Sequence, residues 1–341
     1  MHHGTDNRPA TLLAMAPGIA ERLLGDAQRG HLARIARTDP RLVAHDLHAP
    51  EFASALAEAE VLLTCWGATP LTPEILERAP RLRAVVHAAG SVKHHITPAC
   101  WERGLLVSSA AGANALPVAE YTLAAILFAG KQVLPAAHHY RALRGTDHDW
   151  RTELASSGNY RRTVGLVGAS RIGRRVIELL RPFDVTTLLY DPYVTDTEAA
   201  GLSVQKAELA DLCARASVVS VHAPQLPETD GMIGAAQLAA MPDGSTLINT
   251  SRGSLVDEAA LLAELRTGRL HAVLDVTEPE VPPATSEFYT LPNVLLTPHM
   301  AGSFGNELHR MADHALSELE RYAAGLPFTE PVRPDALEHS A

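Results

Sequence analysis

At 341 residues the chain is long enough for about two domains, each with its own buried core. Hydrophobic residues make up 46% and charged residues 20% with mean hydropathy at zero, a composition that excludes a disordered chain or a disulfide-stapled miniprotein. The 39 acidic against 29 basic residues give a net charge of −10, so the chain has no diffuse basic field, and neither nucleic acid nor a membrane surface is expected as a partner.

In chain order, apolar runs at 11–16, 42–47, 61–65, 82–88 and 105–108 predict buried strands, with helices over 18–36 and 73–78 between them. A mostly apolar helix over 117–131 follows, with Pro117 read as its first residue, where a missing N–H costs little. A second alternating series predicts strands at 163–167, 185–190, 217–221, 246–249, 271–276 and 294–296, and helices at 172–180, 207–214, 235–241 and 258–266. A last amphipathic helix, 304–324, is expected to return to the first domain. Strand and helix in alternation indicate parallel sheets covered on both faces. The predicted fold is therefore α/β, with two Rossmann-like or flavodoxin-like domains: a discontinuous one from 1–113 and 303–341, and one inserted over 114–302.

Cys65, Cys100 and Cys213 are far apart and form no C-x-x-C pair, which suggests neither a disulfide framework nor a zinc site and fits a cytoplasmic protein. The N-terminus lacks the apolar core of a signal peptide, and the run 123–129 is far short of a bilayer span. Among 17 histidines, the adjacent pairs His94–His95 and His138–His139 point their rings apart and no H-E-x-x-H occurs, so no metal is expected and these histidines read as surface or loop residues.

The sharpest local signal is Gly168-Ala169-Ser170-Arg171-Ile172-Gly173, directly after a predicted strand and opening a predicted helix. In the dinucleotide fingerprint, successive glycines make the tight turn, admit the pyrophosphate and allow close helix–strand packing. Here Ser170 stands at the middle position, which puts pyrophosphate affinity in question. Asp191, at the end of the next strand, sits where a carboxylate would bond the ribose hydroxyls; its bland reading is a turn aspartate before Pro192. No arginine follows to hold a 2′-phosphate, so the expected cofactor is NAD.

Three further segments end predicted strands and carry Arg252, Glu280 and His299. Singly they read as a surface ion pair, a solvated acid and a satisfied polar residue. Jointly they put an anion binder, an acid and an imidazole at the carboxyl edge of one parallel sheet, where ligands bind.

The run from Val219 through Pro224 to Glu258, with Ser251-Arg252-Gly253 and Thr297-Pro298-His299, resembles the D-isomer-specific 2-hydroxyacid dehydrogenase family, over about residues 82–302. The resemblance implies NAD-dependent hydride transfer between nicotinamide and C2 of a D-2-hydroxy acid or 2-oxo acid. By it Arg252 is the substrate-binding arginine, His299 the acid/base and Glu280 its partner; Glu278 is the other alignment, with Glu280 preferred because it lies five residues after Asp275. It further implies that Arg171, Ile172, Ala223, Pro224, Thr250, Ser251, Asp275 and Gly302 line the cofactor site with Gly168, Ser170, Gly173 and Asp191. Ala89, Gly90 and Ser91 would hold the substrate carboxylate, and the chain would form a homodimer. Trp66 and Gly67 are candidates for contacting the substrate's variable group. Lys93, His94 and His95 depart from the family's usual loop and read as solvent-facing, with a phosphorylated substrate as the sharper alternative. Two other readings keep the same residues: an NAD(H)-sensing corepressor-like binding protein, and a phosphite dehydrogenase-like enzyme.

Overall fold

In the computed structural model, which describes residues 6–334, every predicted strand lies on one of two all-parallel sheets. The chain divides into two compact units: residues up to Ala115 together with those from Ser303 onward, and Leu116–Gly302.

The first unit holds β1 (Thr11–Ala14), β2 (Val43–Ala44), β3 (Val61–Thr64), β4 (Ala84–His87) and β5 (Leu106–Ser109), in the order β2-β1-β3-β4-β5. Side chains alternate across a strand, so its apolar runs feed two cores. Leu13, Val61, Leu63, Ala84 and Val86 face one side, covered by Leu308, Met311, Ala315, Leu316 and Leu319 of the helix Leu308–Ala323. Leu12, Leu62, Val85 and Val107 face the other, against Leu56, Ile75 and Cys100. Truncating any of these leucines to alanine would cost about 2–5 kcal/mol.

The second unit holds β6 (Arg162–Val167), β7 (Val185–Tyr190), β8 (Gln205–Lys206), β9 (Val218–Val221), β10 (Thr246–Asn249), β11 (His271–Leu274) and β12 (Val294–Leu296). Their order, β12-β11-β10-β9-β6-β7-β8, reverses direction between β6 and β9, the switch point at which an open α/β sheet opens its ligand crevice. Val164, Leu166, Leu189, Val218, Ile248 and Val273 build the core on one face. Leu188, Val219, Val221 and Leu247 build it on the other.

Two expectations about helices are corrected. The segment 18–36 is two helices, Ile19–Leu23 and Asp26–Ile35, because Gly25 is extended and serves as the N-cap of the second. The apolar helix runs Ala111–Gly130, so Pro117 lies inside it and is not its first residue. It begins earlier because the small residues after Ala110 already coil, with the Asn114 N–H donating to the Ala110 carbonyl at 2.9 Å. By length and composition alone this helix could cross a membrane. Its apolar residues Ala119, Ala125 and Ile126 are instead buried in the second unit's core.

Candidate active site

At the switch point, β6 is followed by Gly168 with φ +102°, a conformation that favours glycine. A Cβ there would stand 2.6 Å from the Ala223 nitrogen after β9, and one on Gly173 would stand 2.2 Å from the Gly168 carbonyl oxygen. Both glycines are thus demanded by close backbone approach, the property expected of a pyrophosphate turn. Ser170 has φ −59° and needs no glycine; its hydroxyl caps the helix Arg171–Leu180 by accepting from the Gly173 N–H at 3.3 Å. The serine therefore replaces a glycine without distorting the turn. Arg171 is exposed at the first position of that helix and Ile172 packs against the core. Asp191 accepts from the Ala169 N–H at 2.7 Å and from the Tyr193 N–H at 2.8 Å, so it ties the turn to the end of β7. Its carboxylate oxygens keep further lone pairs for ribose hydroxyls. These residues fit a dinucleotide.

At the carboxyl ends of β10, β11 and β12 the three predicted polar residues lie within one unit. Asn249 braces the first loop: its side chain donates to the Arg252 carbonyl at 2.7 Å and accepts from the Ser251 N–H at 3.1 Å. Ser251 donates its hydroxyl to the Val221 carbonyl at 2.8 Å, and Thr250 shares a 3.2 Å hydrogen bond with Thr122. Thr250 and Ser251 are thus buried and fix the loop that carries Arg252. Burial lowers the Arg252 guanidinium from its usual value, and the nearby Glu280 carboxylate opposes that shift. A Cβ on Gly253 would fall 2.1 Å from the Thr277 carbonyl carbon, so only glycine lets this loop lie against the one after β11.

His299 Nδ1 is 2.5 Å from Glu280 Oε1. Glu280, and not Glu278, is therefore the acid whose carboxylate meets the imidazole. A carboxylate only accepts, so Nδ1 carries the proton and Nε2 is the nitrogen left for a ligand. His299 has φ +51°, and its N–H bonds the Asp275 carbonyl at 2.9 Å. Asp275, only 1% exposed, clamps the same loop, accepting from Thr297 Oγ1 at 2.5 Å and from the Met300 and Ala301 N–H groups at 2.8 Å each. Because Thr297 spends its proton on Asp275, it accepts from the Tyr121 hydroxyl at 2.9 Å. Burial pushes the Tyr121 phenol up from its usual value. Tyr121, Thr122 and Thr297 were not among the sequence-predicted site residues. The one signal for Thr297 was its place in the Thr-Pro-His run, and nothing local marks the two helical residues. Gly302 follows the clamped stretch and is half-buried. Pro224 accepts from Thr229 Oγ1 at 2.7 Å, closing the loop after β9.

In the first unit, the switch point falls between β1 and β3. There Gly67 has φ +75°, the Ala16 N–H donates to the Trp66 carbonyl at 2.8 Å, and Trp66 is 42% exposed. Ala89, Gly90 and Ser91 follow β4. The Ala89 carbonyl accepts from the Ala110 N–H at 3.0 Å, and a Cβ on Gly90 would meet Asn114 Nδ2 at 3.3 Å. Lys93 and His94 are exposed, but His95 is 3% exposed, which corrects its reading as solvent-facing. The turn from Val92 to Ile96 folds its ring inward, where the Thr64 hydroxyl lies 3.3 Å from His95 Nε2 and 2.8 Å from His87 Nδ1. Burial holds His95 down to about 4 and His87 well below the imidazole range. The three cysteines are buried free thiols.

The family described as "D-isomer specific 2-hydroxyacid dehydrogenase, NAD binding domain" matches residues 123–301. The D-3-phosphoglycerate dehydrogenase of Mycobacterium bovis is 36% identical over 274 residues, covering 80% of this chain and 51% of that protein. The protein of the same name from Methanocaldococcus jannaschii is 33% identical over 264 residues, covering 76% and 49%. The chain thus spans about half the length of the curated relatives it matches. Among solved structures, the TT0316 protein of Thermus thermophilus superposes with a TM-score of 0.74 at 29% identity, covering 95% of this chain and 99% of its own. A phosphoglycerate oxidoreductase from Rhizobium etli, at 21% identity, shares the fold with a TM-score of 0.81 over 97% of this chain and 100% of its own.

Proposed function

The chain belongs to the D-isomer-specific 2-hydroxyacid dehydrogenase family and its second unit carries that family's NAD-binding domain; from this premise we propose that it interconverts a 2-oxo acid and the D-2-hydroxy acid with NAD(H). In this reading Arg252 anchors the substrate, His299 is the acid/base and Glu280 is its orienting partner. The observation that carries it is the Glu280–His299 hydrogen bond on a loop clamped by Asp275, at the same sheet edge as the glycine turn. When bound, the dinucleotide supplies the hydride that enters C2 or accepts the one that leaves it.

The protein's own part is binding and proton transfer. With Nδ1–H given to Glu280, His299 meets substrate through Nε2. In reduction the imidazolium gives its Nε2 proton to the oxygen as negative charge develops there; in oxidation neutral Nε2 accepts the hydroxyl proton. Arg252 offers a planar two-pronged donor to the substrate carboxylate. Ala89, Gly90 and Ser91, after β4 of the first unit, are read as offering backbone N–H groups to a substrate carboxylate. A homodimer in the cytoplasm completes the reading.

The experiment is NADH oxidation across glyoxylate, hydroxypyruvate, phenylpyruvate, 2-oxoglutarate and phosphohydroxypyruvate, the last included because of the relatives' names. Turnover of at least one is expected, with kcat falling by about 10³-fold or more in His299→Asn while NADH affinity changes by less than about threefold. NADH binding with no turnover of any acid would overturn the enzymatic reading and leave a cofactor-sensing protein.

A further inference from the structure

Away from the glycine turn and the His299 loop, the second unit gathers three metal-ligating side chains: His139, His148 and Glu153, whose donor atoms lie within 4.8 Å of one another. His139 comes from the helix Val133–Leu143, His148 from the loop after it, and Glu153 from the short helix Trp150–Glu153. His139 Nδ1 lies 2.8 Å from one oxygen of Glu153, and His148 Nε2 contacts the other. One carboxylate thus draws two imidazole nitrogens toward a common point.

The group is framed as well as close. Both rings pack edge-on to the Trp150 indole, His139 at 5.5 Å and His148 at 4.7 Å between centroids, and the two imidazoles are 5.0 Å from each other. Asp149 caps the short helix, accepting from the Thr152 N–H at 3.2 Å and from the Thr152 hydroxyl at 2.6 Å, which fixes the turn between His148 and Glu153. The side chains of the three are 40%, 29% and 32% exposed, so solvent reaches them.

We propose that His139, His148 and Glu153 bind one divalent ion of the zinc class, with water completing the coordination sphere. Two imidazoles and one carboxylate are borderline donors that suit zinc or cobalt, whereas calcium and magnesium take mostly oxygen ligands. Metal–ligand bonds of about 2.0–2.2 Å place the donors of a tetrahedral ion roughly 3.3–3.5 Å apart. The His139–Glu153 contact at 2.8 Å therefore has to open by about half an ångström, and the closer His148–Glu153 contact has to open further. Rotamer adjustment of half-exposed side chains supplies both movements. The bound ion would staple the segment between the two helices. The sequence alone did not disclose this grouping: His148 lies nine residues beyond His139, and the adjacent pair His138–His139 misdirects the reading because its two rings leave the helix on different faces.

The test uses the full-length chain, freed of metal by chelator and titrated with Co²⁺ by absorbance and with Zn²⁺ by calorimetry. One ion per chain is expected beyond any background, with the intensified visible bands of low-coordinate cobalt. His139→Ala and His148→Ala should each weaken Zn²⁺ binding by about 30-fold or more and Glu153→Gln by about 10-fold, while the exposed neighbour variant His138→Ala changes it by less than about twofold. NADH affinity, measured on every variant, reports that the second unit is folded. Absence of saturable binding in the wild type up to millimolar Zn²⁺ would overturn the proposal and leave an ion-pair cluster. Wild-type binding in a folded His148→Ala variant would overturn it equally.

Discussion

Asp275→Asn tests whether the loop bearing His299 is held in place by charge. The buried carboxylate accepts three hydrogen bonds, from Thr297 Oγ1 and the Met300 N–H on one oxygen and from the Ala301 N–H on the other. An amide has one oxygen and one NH2 group. With its oxygen toward Met300, the NH2 faces the Ala301 N–H; flipped, it faces the Met300 N–H. Either way one backbone donor is orphaned, at about 1–3 kcal/mol, and the remaining bonds lose their charge assistance. A total loss near 3 kcal/mol follows, about a fifth to three-fifths of a typical domain's stability. The backbone bond from His299 to the Asp275 carbonyl survives, so the loop should shift without detaching. A displacement of about 1 Å at the imidazole is enough for a 10²-fold fall in kcat. Urea unfolding of the NAD-binding unit, followed alongside NADH-dependent turnover, measures both quantities. A variant within about 0.5 kcal/mol of wild type and within about twofold of its kcat would refute the reasoning.

Three other outcomes are expected. Glu280→Gln should lower kcat by about 10²-fold or more with NADH affinity intact, because the imidazole loses its acceptor-only partner, whereas Glu278→Gln should stay within about threefold; equal effects would remove Glu280 from its assigned place. Ser170→Ala should cost about 1 kcal/mol by uncapping the helix Arg171–Leu180, while Ser170→Gly costs only a few tenths and leaves NADH affinity nearly unchanged; urea unfolding and fluorescence titration check both. Acid should destabilise the protein through its buried histidines. His95 and His222 are each held down to about 4 by burial. Above the ordinary imidazole value neither state is protonated; as pH falls from about 6.5 to 4, only the unfolded chain takes up these protons, so stability drops by up to about 3 kcal/mol per histidine. His222→Gln should flatten that dependence in unfolding measured at several pH values, and an unchanged slope would count against burial as the cause.

The apolar runs told most of the fold. Thr246–Asn249, fully buried, and Val294–Leu296, half-buried, coincide with their predicted strands because each is marked by a short apolar run. β8 was missed because Gln205–Lys206 is a two-residue exposed edge with no apolar signature. The helix Val133–Leu143 buries no side chain and so left no periodic mark. Within the site, residue types at strand ends were enough to nominate Arg252, Glu280 and His299. The clamp around Asp275 was not legible, since it joins a carboxylate to backbone N–H groups 25 and 26 residues away. The buried state of His95 was equally hidden, because its partner Thr64 lies 31 residues earlier and the residues just before it, Lys93 and His94, are polar.

The helix Leu308–Ala323 has a bearing on how the chain is made. One face of the first sheet, including Leu13, Leu63 and Val86, is covered by Leu308, Met311, Ala315, Leu316 and Leu319. On the ribosome those strands emerge first, and roughly 220 residues separate the last of them from the helix, which at about 5–20 residues per second is about 11–44 s of synthesis. Throughout that interval the second unit can complete its own core, since all of its strands come from one continuous stretch. The first unit meanwhile presents an uncovered apolar sheet face to the cell. Nascent-chain aggregation and chaperone capture should therefore concentrate on chains arrested before Leu308, and a helix supplied in trans would be the direct remedy.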